Sequence, residues 1–116
     1  MRIATWNVNS VKAHLDQVTE WLKAEKPDVV CLQEIKCEDH AFPTQHFEEL
    51  GYNCAVHGQK TYNGVALLSR FPLEDIQRGL PGDDADEQAR FIMATVTNDG
   101  LTVRVGGLYL PNGNPT

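Results

Sequence analysis

Three observations predict an α/β fold with a mixed sheet. Residues 2–33 read as strand, helix and strand, the βαβ unit that sets two parallel strands side by side through a crossover that is right-handed in ~98% of cases. Residues 90–97 and 101–110 are β-prone and flank Asn98-Asp99-Gly100, a strong signal for an antiparallel hairpin. The chain has 116 residues, near the usual size of one domain, and its 41% hydrophobic content suffices for a modest core.

The elements follow in order. Residues 2–6 form a short β-prone segment, and the polar stretch Asn7-Val8-Asn9-Ser10 ends it. Val11, Leu15, Val18, Trp21 and Leu22 then recur at steps of three and four, which predicts a helix with Ser10 as N-cap and Pro27 barring its continuation. Residues 28–33 are an apolar run without alternation, as expected of a strand covered on both faces. A second, short helix is expected from Pro43, a favoured first-turn residue, to Gly51. Residues 52–57 and 65–69 read as strands joined by a polar loop at 58–64, and the acidic, turn-rich stretch 79–88 as a surface loop. In the last strand Leu101, Val103, Val105 and Tyr109 share one face under the period-two rule. The final residues, 110–116, read as a loop opening, so the chain is expected to be the N-terminal part of a larger domain.

Bulk properties narrow the class. No apolar run approaches the ~20 residues that span a bilayer, and Met1 opens directly into strand-like sequence, so a cytoplasmic protein without membrane contact is expected. Cys31, Cys37 and Cys54 are odd in number and lack zinc-ligand spacing, so reduced thiols are expected. The net charge of −6 counts against a nucleic-acid binder taken alone, yet leaves room for a local basic surface.

Asn7 and Glu34 are the candidates to carry chemistry. Each falls at the carboxyl end of a predicted strand of one βαβ unit, the edge at which open α/β sheets bind ligands. A carboxylate there beside an amide suits a hard, oxygen-seeking cation such as magnesium. Spacing alone leaves a second reading open, in which Glu34 caps a turn and Asn7 satisfies nearby backbone. Tyr109 ends the last strand beside Pro111-Asn112-Gly113, where its hydroxyl could meet a phosphate oxygen or its ring simply pack. Lys60, Tyr62 and Asn63 combine cation, ring and amide, a set that can grip a phosphate backbone, although an ordinary solvated loop has the same composition. Arg90 follows the acidic loop and could equally pair with Asp86 or Glu87. His14, His40, His46 and His57 show no ligand spacing.

Several segments together resemble one family: Thr5-Trp6-Asn7-Val8-Asn9-Ser10, Leu32-Gln33-Glu34-Ile35-Lys36, His57-Gly58-Gln59-Lys60, the run at 62–69, Gly82-Asp83-Asp84, and Leu108-Tyr109-Leu110-Pro111-Asn112-Gly113. In order along almost the whole chain they resemble the exonuclease III and abasic-site (AP) endonuclease branch of the endonuclease/exonuclease/phosphatase superfamily. The resemblance implies the N-terminal half of a four-layer α/β/β/α sandwich, as in deoxyribonuclease I. It implies a DNA-repair nuclease of base excision repair that uses magnesium, with manganese as an alternative. Its substrate would be double-stranded DNA with abasic sites or 3′ ends. By the same resemblance Glu34 binds the metal and Asn7 stands in or just behind its coordination shell. Tyr109 holds the scissile phosphate, Asn112 contacts DNA near it, and Lys60 and Arg90 face the DNA backbone.

The family's remaining groups, an Asp-x-Asn motif, a further acidic residue and a final Ser-Asp-His, would lie past Thr116. Three consequences are expected: the 116 residues alone are inactive, the second sheet's inner face is left uncovered, and the fragment self-associates although the parent is a monomer. Two rival readings are a non-catalytic RNA- or DNA-binding regulatory relative on the same scaffold, and a phosphatase or phosphodiesterase of the wider superfamily acting on lipids or nucleotides.

Overall fold

Residues 1–59, 63–78, 91–98 and 100–108 are described by a computed structural model. Strand β1 (Ile3–Asn7), helix α1 (Leu15–Glu25) and strand β2 (Val29–Gln33) form the expected βαβ unit, with β1 and β2 paired in parallel from Ile3↔Val29 to Asn7↔Gln33. The helix starts later than its apolar spacing suggests. Ser10 has φ +84°, outside the extended range an N-cap adopts, and it closes a separate turn by accepting from Ala13 N–H (3.2 Å) and His14 N–H (3.2 Å). Val11 is fully buried in that turn, so its place in the spacing reports burial and not helix. At the other end Lys26 turns left-handed and its N–H returns to Leu22 O before Pro27 stops the helix.

A single 3-10 turn (Asp39–Ala41) and helix α2 (Thr44–Glu49) precede strands β3 (Asn53–His57) and β4 (Val65–Ser69). Gly51, at φ +93°, ends α2 as expected. The first sheet runs β1-β2-β4-β3, with β4 antiparallel to both neighbours. A second sheet holds β5 (Leu73–Arg78), β6 (Phe91–Asn98) and β7 (Leu101–Leu108), all antiparallel. The hairpin between β6 and β7 closes at the Asn98↔Leu101 pair, with Gly100 at φ +81°.

Strand β5 is absent from the sequence expectation. It carries Glu74, Asp75 and Arg78 at a sheet edge, and a bulge between Glu74 and Gln77 breaks its alternation.

The central strands are apolar on both faces because each face meets a different layer. Val30, Leu32, Ala66 and Leu68 pack with Val18, Leu22 and Phe47 of the helices. Val29, Cys31, Val65 and Leu67 pack with Ile92, Ala94, Val96 and Val105 of the second sheet. The expectation of an uncovered inner face is therefore corrected: the first sheet itself covers it. The sheets approach closely at Gly107, where a Cβ would run into Cys31 Sγ.

Helices, first sheet and second sheet make three layers, in the order that an α/β/β/α sandwich requires. Among the described residues the helices all lie on the first sheet's side, and no helix is long and apolar enough to cross a membrane. The three cysteines are free, as expected.

Candidate functional site

The parallel pairing of β1 and β2 brings Asn7 and the residue after β2, Glu34, to one edge of the sheet. There the Asn7 Nδ2 donates to Glu34 Oε2 at 2.6 Å. The amide's orientation is fixed from its other end, since Asn7 Oδ1 accepts the Asn9 N–H at 3.1 Å. Lys36 Nζ stands 3.7 Å from Glu34 Oε1 and donates to Asn9 Oδ1 at 2.6 Å. Glu34 thus lies between an amide donor and an ammonium, with its side chain 22% exposed. Beside it, Trp6 packs edge-on against Trp21 of α1 at 5.3 Å between ring centroids, which anchors the end of β1.

The backbone at this edge is contorted. Of the seven described non-glycine residues with positive φ, five are here: Asn9, Ser10, Glu34, Lys36 and Asn63. A left-handed L-residue costs roughly 1–2 kcal/mol, so such a cluster persists only where its surroundings hold it. What holds it is a ladder running past the strand ends. Val8 N–H donates to Gln33 O (2.9 Å), Ser10 N–H to Glu34 O (2.8 Å) and Val11 N–H to Ile35 O (3.1 Å). On the other side Ile35 N–H donates to Gly64 O (3.2 Å) and Lys36 N–H to Asn63 O (3.0 Å). Gly64 permits that approach, because at φ +93° a Cβ would sit 2.5 Å from Ile35 Cγ1. Glu34 is therefore held through its backbone carbonyl by Ser10 and through its carboxylate, and the two residues after it are tied on the other side.

The donor set can be tested for a metal. Glu34 offers hard carboxylate oxygens, and magnesium usually takes only one or two carboxylates while keeping several waters. Among the described residues no group of three or more His, Cys, Asp and Glu comes together, so a closed soft-ligand cage is not what these residues build. The fit is to a hard, partly hydrated cation. Asn7 Nδ2 holds the carboxylate, while its Oδ1 accepts the Asn9 N–H and keeps a second lone pair.

A pocket of about 240 Å³, lined by Trp6, Asn7, Val8, Asn9, His14 and Gln17, opens beside this edge. A larger one of about 320 Å³ lies among Leu22, Lys23, Lys26, Leu50, Tyr52 and Arg70, away from Asn7 and Glu34. Of these two pockets it is the smaller that is lined by Asn7 and Asn9.

Asn63 departs from expectation. It is only 7% exposed and its Nδ2 donates to Gln59 Oε1 at 3.1 Å, so it shapes its loop from within instead of presenting an amide to a ligand. Lys60, Tyr62, Arg90, Tyr109 and Asn112 lie outside the described residues. Sequence reasoning passed over Asn9 and Lys36. Each follows a recognised residue by two positions, Asn7 and Glu34 respectively, and that interval was the available signal.

Comparison with known proteins bears on this geometry. A model of the endonuclease/exonuclease/phosphatase family matches residues 4–115. An exodeoxyribonuclease III from Haemophilus influenzae is 42% identical over 114 residues, covering 97% of this chain and 42% of that protein. A solved Neisseria 3′ phosphatase bound to product DNA hairpin superposes with a TM-score of 0.90 at 44% identity, over 97% of this chain and 42% of the other. An AP endonuclease from Archaeoglobus fulgidus gives a TM-score of 0.84 at 41% identity, over 97% and 42%. The chain thus spans well under half the length of each of these three.

Proposed function

The chain belongs to the endonuclease/exonuclease/phosphatase family, and from that footing we propose that the protein carrying it is a DNA-repair nuclease. Its substrate is duplex DNA with abasic sites or 3′ ends, and its reaction is phosphodiester hydrolysis. The observation that carries the proposal is Glu34, a carboxylate oriented by Asn7 and flanked by Lys36 at the carboxyl edge of a parallel strand pair. The relatives' names supply the substrate class: exodeoxyribonuclease III, AP endonuclease and a phosphatase bound to a DNA hairpin.

In this reading Glu34 holds the divalent cation, magnesium or manganese. Such a cation offsets the negative charge that develops on the phosphate during hydrolysis. Asn7 keeps the carboxylate aimed and stands in or just behind the cation's coordination shell. Lys36 balances the carboxylate's charge before a cation binds and ties it to Asn9. Tyr109 is assigned to the scissile phosphate and Asn112 to the DNA near it. Lys60, Tyr62 and Arg90 are assigned to the DNA backbone, where cations and a ring contribute affinity without reading sequence.

Taking a proton from an attacking water is a separate task. At this edge Glu34 is engaged by Asn7 and Lys36, and His14 is oriented through Nδ1 at Ser10 O.

The test is magnesium-dependent nicking of an abasic duplex by the full-length protein, compared with Glu34→Ala. Loss of at least a hundredfold in kcat/KM is expected. Full activity in Glu34→Ala would sink the metal assignment, and absence of nicking in the wild type would sink the functional one.

A further inference from the structure

We propose that the cavity at the opposite end of the first sheet from Glu34 is a second binding site, built for a phosphate monoester of mononucleotide size. The cavity holds about 320 Å³, at the small end of the range for ligand pockets, roughly 300–1,000 Å³. Its floor is apolar: Leu22 and Tyr52 are buried there, and Leu50 completes it. The Tyr52 ring is fixed, because its hydroxyl donates to Pro27 O at 2.7 Å. Lys23 and Lys26 from the end of α1, and Arg70 from the residue after β4, line the rest. Val29 pairs with Ser69, so Lys26 and Arg70 stand where β2 begins and Glu34 stands where it finishes. Those five strand residues span roughly 17 Å, so a compact ligand in the cavity does not reach the Glu34 edge.

Three cations from two separate elements thus converge on one cavity, in a chain whose net charge is −6. Among the described residues neither lysine ammonium has an ion pair or a hydrogen bond. Arg70 Nη1 stands 3.5 Å from Asp28 Oδ1, beyond the roughly 2.7–2.9 Å of a charge-assisted hydrogen bond, and its side chain is 49% exposed. Asp28 is engaged elsewhere, its Oδ2 accepting the Arg2 N–H at 2.7 Å, and Glu25 pairs with Arg2 at 3.3 Å. The carbonyl end of a helix by itself favours lysines such as Lys23 and Lys26. It accounts neither for Arg70 nor for the cavity between them. Nor does it call for a lysine at position 26, whose backbone is left-handed at φ +48°, where glycine is the residue of least strain.

Charge and shape select the ligand. The three cations, set against the one carboxylate paired with them, Asp28, leave two positive charges in excess. That excess matches a phosphate monoester, at about −1.5 to −2, better than a singly charged carboxylate. Lysine ammoniums take phosphate as point charges, and the arginine fork spans two of its oxygens. A duplex is too broad to enter a cavity of this volume. A mononucleotide fills it, with phosphate on the cations and base on the floor of leucine and tyrosine. The site needs no metal and does not depend on the nuclease reading.

The experiment titrates the full-length protein calorimetrically with 2′-deoxyadenosine 5′-monophosphate in chelator, which silences any metal-borne phosphate site at Glu34. One mononucleotide should bind per chain. Lys23→Ala and Lys26→Gly should each weaken it about tenfold, the effect of losing one hydrogen bond between charged groups. Alanine favours the helix and glycine the left-handed turn, so Tm should not fall in either variant. Arg70→Lys, which keeps the charge and loses the fork, should weaken binding less than Arg70→Ala. Inorganic phosphate should bind more weakly than the mononucleotide, and 2′-deoxyadenosine should not bind. The methyl resonances of Leu22 and Leu50 should shift with the mononucleotide in wild type and in Glu34→Ala alike. Absence of binding in chelator overturns the proposal, as does an affinity unchanged in both lysine variants, or methyl resonances that do not move. So does 2′-deoxyadenosine binding as tightly as its monophosphate. Tighter binding by a triglutamate peptide also overturns it, and would mark a surface for an acidic protein segment instead.

Discussion

Asn7→Ala is the most informative single change at the site, since it removes the group that aims Glu34 and leaves the carboxylate in place. The bond removed is a 2.6 Å amide-to-carboxylate hydrogen bond. Bonds to a charged partner contribute about 1.5–3 kcal/mol, and the lower end applies because Asn7 is exposed and the Glu34 side chain is 22% exposed. At 1.36 kcal/mol per factor of ten, magnesium affinity should fall about tenfold, at the weaker edge of what removing such a supporting group costs a metal site. Calorimetric titration of the full-length protein with magnesium chloride measures this directly. Asn7→Asp is the counterpart. A second carboxylate within hydrogen-bond distance of the first repels it without metal and adds an oxygen ligand with metal. Its Tm should therefore be lower than wild type in chelator and recover with magnesium, and its Kd should be no weaker. An unchanged magnesium Kd in Asn7→Ala would show that the amide does not orient the ligand.

Two further outcomes concern the core. Gly107→Ala drives a Cβ into Cys31 Sγ and should cost about 1–3 kcal/mol by overpacking; Cys31→Ala in the same chain should suppress much of that cost. Chemical denaturation of the two single variants and the double variant measures the coupling, and strict additivity would show that the sheets are not in contact there. The thiols of Cys31 and Cys54 are pushed up to about 11 and about 12, chiefly by burial, and that of Cys37 is raised for the same reason. Alkylation at pH 8 should consequently be slow in native protein and fast in denaturant. Because the folded state holds these protons above the ordinary value of 9.0, their stabilising contribution is complete below about pH 9 and is lost as pH rises towards 11. Tm measured across that range should fall less steeply in Cys31→Ala.

The parts of the fold that the sequence disclosed are those with an unbroken pattern. The run at 28–33 lacks alternation because β2 meets helices on one face and a second sheet on the other, and both clusters confirm it. Strand β5 was hidden because Asp75 adopts φ +49° beside a bulge, so its charged edge never shows a period of two. The start of α1 was misplaced because Val11 is buried without being helical. At the site, Asn7 and Glu34 were visible because strand ends place side chains at a known edge. Asn9 and Lys36 were not, since their meeting depends on left-handed turns whose register no propensity encodes. Asn63 misled for a related reason: composition marked it as a surface amide, whereas the ladder to Lys36 pulls its backbone inward.

Strand β2 belongs to both hydrophobic clusters and has hydrogen-bonded neighbours on both sides, and Glu34 is the first residue beyond it. Elements with that much burial generally open only when the whole domain opens. The carboxylate is thus mounted at the end of one of the two most buried strands among the described residues. Fluctuations at loop stems or at the edge strand β5 can come and go without displacing it. Rigidity of this kind sets a direction for adaptation: new substrates are accommodated by altering the loops around Glu34, while its mounting tolerates little change.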